Sequence, residues 1–198
     1  MQKRTPYIFI ASAALLLASS GAHAHAGHGE TLSGFMAGFA HPLSGADHLA
    51  AMLAVGLWSA LAFADKAKSA WRAPLQFAAL MLAGAVAAMQ LGWTLPGFEL
   101  GITLSLLVLG LLLAGRTPLA TGTGLALIAA FALSHGAAHG AELQGGWALA
   151  GMLAATLALH GVGLAIGTRL RGLSARWSQA LGAGLVLFGI ARLTGVAA

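Results

Sequence analysis

The sequence predicts an all-α polytopic membrane bundle, six transmembrane helices behind a cleaved signal peptide, and three observations predict it. Hydrophobic residues make up 59% of the 198 and charged residues only 8%, against about 25% charged in an ordinary soluble domain. Apolar segments recur at the length of a membrane span, and basic residues fall in every second connection between them. A soluble enzyme could not cover itself with so little charge. Six spans of ~20 residues need ~120 positions, which leaves room for loops but not for a second, soluble domain.

Residues 1–24 read as the export signal. Lys3 and Arg4 give the positive start, Ile8 to Ala18 the short apolar run, and Ala22-His23-Ala24 the small-residue cleavage pattern. The domain organisation is then a signal peptide over 1–24 and a single six-helix transmembrane domain over 25–198. Cleavage after Ala24 leaves a chain that begins at His25 with His28 close behind, whereas cleavage after Ala26 removes His25. Six apolar segments follow, at roughly 31–63, 72–93, 97–115, 118–138, 146–168 and 177–195. The first is long for one span and is interrupted by His41-Pro42 and Gly45. Proline lacks a backbone donor and glycine loosens a helix, so the first helix is expected to be kinked or broken near Pro42/Gly45.

Charge sets the orientation. Lys66, Lys68 and Arg72 lie between the first and second spans, Arg116 between the third and fourth, and Arg169, Arg171 and Arg176 between the fifth and sixth. The alternate loops, 94–97 and 139–146, carry no Lys or Arg. The positive-inside rule then puts both termini outside, with Arg192 near the end of the last span as a mild exception. The formal charge of +5 and the pI near 10.9 do not indicate nucleic acid, because the basic residues sit at the ends of apolar runs and form no stripe. Glycines such as Gly136, Gly140, Gly161, Gly163, Gly182 and Gly189 lie within the spans, where small residues let helices approach closely in lipid.

The absence of cysteine removes disulfides, thiol nucleophiles and thiolate metal sites. A metal would be held by nitrogen and oxygen, with methionine sulfur as a weak addition. Ionisable side chains inside a span cost ~2.5–3.5 kcal/mol each on insertion and are usually functional. They occur in three groups: His41, Asp47 and His48; His135, His139 and Glu142; and the lone His160. At about 100° per residue, His135, His139 and Glu142 share one helix face, and an i, i+4 histidine pair can grip a divalent ion. In an unbroken helix His41 and His48 would stand ~10 Å apart along the axis. Either the Pro42/Gly45 break folds them together or they form two successive stations. Asp47 is placed to ligate directly or to orient the His48 ring. Depth along the spans puts His135, His139, Glu142 and His41 nearer the outside, above Asp47, His48 and His160. Met52 reads as core and Glu99 as a carboxylate favouring a helix N-terminus. His23, His25 and His28 read as linker.

These donors suit a transporter of a divalent transition ion, and equally an intramembrane hydrolase in which bound zinc activates water. A passive accessory protein is a third class. No phosphate-binding Gly-x4-Gly-Lys-Ser/Thr loop occurs, so the chain does not itself use ATP.

The motif from His41-Pro42 to Asp47-His48, followed by Leu-Ala-Ala-Met52 and Val55-Gly56, and the later His135-Gly-x-Ala-His139-Gly-x-Glu142, resemble the HupE/UreJ family over the whole mature chain. One departure is Ser134, where members commonly carry Phe. The resemblance implies a multi-pass permease of the bacterial inner membrane for nickel, sometimes cobalt, linked to hydrogenase or urease maturation, and not an enzyme. His41, Asp47, His48, His135, His139 and Glu142 would carry over as the metal-handling residues, with His160 added from its depth. No prosthetic group is implied. Ni2+ is the expected transported ligand, and Co2+ or Zn2+ suit the same donors. The expected partners are the divalent ion and the lipid bilayer, with no nucleic acid. Few polar residues lie below His160, so the inner half of the path calls for a conformational change or a homo-oligomer interface.

Overall fold

The computed structural model describes residues 34–63, 67–92, 95–117, 119–143 and 145–196. The expected signal peptide, His23, His25, His28, Asp65 and Lys66 lie outside the described residues. Seven α-helices and a short 3-10 turn over Ala67–Trp71 make up the fold, with no strand among the described residues. They are α1 (Phe35–Ser44), α2 (Ala46–Ala62), α3 (Arg72–Leu91), α4 (Phe98–Gly115), α5 (Thr121–Glu142), α6 (Gly146–Leu170) and α7 (Ala175–Leu193).

Among the described residues, four helices are long and apolar enough to cross a membrane: α3 with the turn before it, α4, α5 and α6. The α1–α2 pair adds a fifth crossing if it is one span, but it bends by 86° at Gly45. Pro42 lies within α1 and cannot donate to the preceding turn. Gly45 is extended (φ −93°, ψ 115°), so it ends α1 and also precedes α2. Ser44 Oγ donates to the His41 carbonyl at 2.7 Å, which satisfies one acceptor that the helix end leaves open. The segment expected as a sixth span is α7, where Arg176, Ser178, Gln179 and Arg192 interrupt the apolar run.

The main pairings are α3 with α5, α2 with α6, α4 with α7, and α1 with the first half of α6. Glycine makes the contacts around the site intimate. A Cβ at Gly136 on α5 would collide with the Met81 carbonyl on α3, and one at Gly38 on α1 would collide with the Ala148 backbone on α6. Met52, Val55, Phe77, Met81, Leu109, Ile128 and Met152 fill the interior between these helices.

Opposite ends of the bundle differ in chemistry. At one end Arg171 donates to the Ala60 carbonyl at 2.9 Å, and Gln76 donates to the Leu125 carbonyl at 2.9 Å. This end carries Arg72 at the start of α3, Arg116 just after α4, Arg169 in the last turn of α6 and Arg176 in the first turn of α7, beside the connections between these helices. At the other end lie the α1–α2 bend, the C-terminus of α5 and the last turn of α7, which together bring the acidic and histidine side chains into one place.

Candidate metal centre

Two helix ends and one bend build the site. α5 runs on past the apolar segment and stops at Glu142, so His135, His139 and Glu142 stay in helical register on one face. From the other side, α1 delivers His41 at its last turn and α2 delivers Asp47 and His48 at its first. The right-angle bend resolves the two arrangements left open by the sequence. The His41 and His48 rings lie 6.4 Å apart between centroids, well inside the straight-helix spacing, so the break folds them together.

The four imidazoles form one cluster. His41 packs on His139 at 5.0 Å, and His48 packs on His139 at 4.7 Å and on His135 at 5.2 Å. His48 is thus wedged against both α5 rings. His41 Nε2 donates to Glu142 Oε2 at 2.8 Å. One ligand atom each from His41, His139 and Glu142 all lie within 4.8 Å of one another. Atoms sharing one ion at ~2.1 Å stand up to ~4.2 Å apart, so small side-chain rotations would bring these three onto a single ion.

Hydrogen bonding fixes how the rings present themselves. His135 Nδ1 donates to the Phe131 carbonyl at 2.9 Å, and His160 Nδ1 to the Met52 carbonyl at 2.8 Å. A carbonyl can only accept, so the proton sits on Nδ1 and Nε2 keeps a bare lone pair. His48 Nδ1 faces Asp47 Oδ1 at 3.0 Å and is oriented in the same way. Anchoring one ring nitrogen on an oxygen while the other is left for a cation is the usual arrangement of metal-binding histidine. His48 Nε2, His135 Nε2, His160 Nε2 and both nitrogens of His139 are buried and have no hydrogen-bond partner among the described residues. Each buried polar group left unpaired costs ~1–3 kcal/mol.

Beyond the cluster, Phe77 lies edge-on to His135 and to His160, 5.2 Å from each, and all three side chains are wholly buried. His160 thus stands apart from the other six expected residues, behind an aromatic ring. Met52 contributes its carbonyl to His160. Where the bend meets the ends of α5 and α7, a cavity of about 330 Å3 is lined by His41, Asp47, His48, Glu99, Glu142 and Arg192 among others. Glu99, read from the sequence as a favourable charge at a helix start, is in the first turn of α4 and also faces this cavity.

Arg192 is the participant that sequence reasoning missed. Its Nη2 donates to Asp47 Oδ2 at 2.8 Å. The signal was present as the one basic residue out of step with the charge alternation, but nothing in the sequence named its partner. Ser134, the departure from the family pattern, is buried on α5, and a Cβ at Gly101 of α4 would collide with its hydroxyl. A small residue here lets α4 close on α5 beside the site.

Comparison with known proteins places the chain among similar sequences. The family described as HupE / UreJ protein matches residues 13–192. Protein HupE of Rhizobium leguminosarum bv. viciae is 41% identical over 160 residues, which cover 77% of this chain and 80% of that protein. No solved structure matches the chain.

Proposed function

The chain belongs to the HupE/UreJ family, permease-like accessory membrane proteins and not enzymes, and from that premise we propose that it carries a divalent transition-metal ion, nickel foremost, across the bacterial inner membrane into the cytoplasm. The observation that carries this reading is the set of buried imidazole nitrogens without partners beside three carboxylates. Such a set is costly in a dry interior and becomes favourable once a cation supplies the missing partner. Cobalt and zinc suit the same nitrogen and oxygen donors, and the family resemblance is what favours nickel.

The ion sheds water at the outer cavity to Glu142, His41 and His139. It then moves to His48, Asp47 and His135, and from there past Phe77 to His160. Both termini are outside, six crossings are completed by the bent α1–α2 pair and by α7, and the signal over 1–24 is removed. The role in the cell is supply of the metal for hydrogenase or urease maturation.

Uptake by the purified chain in sealed vesicles, read by a chelating dye inside, tests this. Nickel is expected to accumulate, and Asp47→Ala or the His135→Ala, His139→Ala pair to reduce the rate to that of empty vesicles with the protein still inserted. Wild-type uptake by the double variant would overturn the ligand assignment. Absence of flux, with one zinc held tightly per chain, would overturn the transport reading.

A further inference from the structure

Asp47 is held from two sides. Oδ1 accepts the backbone N–H of His48 at 2.8 Å and faces the His48 ring at 3.0 Å, while Oδ2 accepts from Arg192 at 2.8 Å. Arg192 comes from the last turn of α7, a helix that packs chiefly on α4. Its ion pair with Asp47 is therefore a direct polar tie between the outer end of α7 and the bend at Gly45. The Asp47 side chain is 13% exposed and that of Arg192 33%, so the pair is partly shielded from water and screened less than a surface pair.

Charge counting gives this tie a role. Among the described residues, the cavity is lined by three carboxylates, Asp47, Glu99 and Glu142, and one fixed cation, Arg192. With neutral imidazoles, three negative charges against one positive leave a net of −2, which one divalent ion cancels. A guanidinium does not lose its proton in a protein, so Arg192 and an arriving dication contend for the same carboxylate.

We propose that Arg192 sets how tightly the site holds a divalent ion, acting as a resident counter-cation that yields Asp47 Oδ2 when the ion binds and reclaims it when the ion leaves. This rests on the metal-transport reading above. Removing the guanidinium frees a carboxylate oxygen and deletes a positive charge beside a dication, so binding tightens and release slows. An arginine that only anchored the carboxylate would act in the opposite direction, because its loss would leave Asp47 unheld and weaken binding.

The test uses the full chain with nickel ion alone, as a binding titration in detergent and as uptake in sealed vesicles. Arg192→Gln is expected to bind nickel tighter by about tenfold or more, with a KM lowered in step and a reduced maximal rate. Arg192→Lys, which keeps the charge, is expected to return both constants toward the wild type. If Arg192→Gln fails to insert, Arg192→Met, suited to the apolar run of α7, gives the same readout. Weaker or unchanged binding in the neutral variants overturns the proposal, as does an Arg192→Lys that behaves like Arg192→Gln. Failure of both neutral variants to insert makes Arg192 a structural anchor and also overturns it. A wild-type chain without flux overturns the transport reading instead, while the titration in detergent still reports on Arg192.

Discussion

His139 is wholly buried, and neither ring nitrogen has a hydrogen-bond partner among the described residues. Without a cation, replacing such a group by an apolar side chain removes an unsatisfied donor and acceptor and leaves the packing nearly intact. His139→Leu is therefore expected to melt in detergent at the wild-type temperature or above it, a gain of about 1–3 kcal/mol, and to lose uptake. Nickel should raise the wild-type Tm by mass action and raise that of the variant less. A variant that melts well below the wild type would count against an unpaired His139. Spacing along one helix made His135, His139 and Glu142 legible in the sequence, because the 3.6-residue period links positions within a turn or two. Arg192 meets Asp47 across 145 residues of sequence, and Glu99 reaches the cavity from a third helix. No local pattern could pair them.

Gly45 matters less for its backbone angles, which any residue adopts, than for the space around it. A Cβ there would stand 3.1 Å from Asp47 Oδ1 and 3.2 Å from His48 Nδ1, pressing on the bonded pair that orients the His48 ring. Gly45→Ala is expected to insert and melt close to the wild type but to raise the nickel KM by roughly three- to tenfold, since misplacing a ligand by tenths of an ångström costs of order 1 kcal/mol. Uptake kinetics in vesicles check this, and an unchanged KM would free Gly45 from any part in aligning the site. Pro42 and Gly45 announced a break in the sequence, since both weaken a helix by known means. They did not announce its angle, which follows from how α1 lies along α6 at Gly38 and Gly151. The apolar segment marked at 118–138 is shorter than the helix that carries it, which runs to Glu142. An apolar segment stops at the first polar residues, whereas the helix continues through them when their side chains have a buried partner face.

Across the whole molecule, the site opens at the end away from the basic connections, so on the proposed reading it meets the outside solution. Its imidazoles bind a cation only when unprotonated. Protons and the ion contend for the same lone pairs, so nickel uptake is expected to fall as the external solution is acidified in vesicles with a buffered interior, and uptake that does not change with external pH would remove imidazole from the capture step. The all-helical membrane character was plain from composition, because so few charges cannot solvate a soluble surface. The count of crossings was less plain, since α7 mixes apolar residues with Arg176, Gln179 and Arg192. One of these, Arg192, faces the interior of the site, where hydropathy averages cannot place it. The imidazoles of His41, His139, His48 and His135 touch ring against ring, yet among the described residues no hydrogen bond joins one ring to the next. Protons hop only along such bonds, so the row of lone pairs that can hand on a ligand-exchanging ion is broken as a wire for protons.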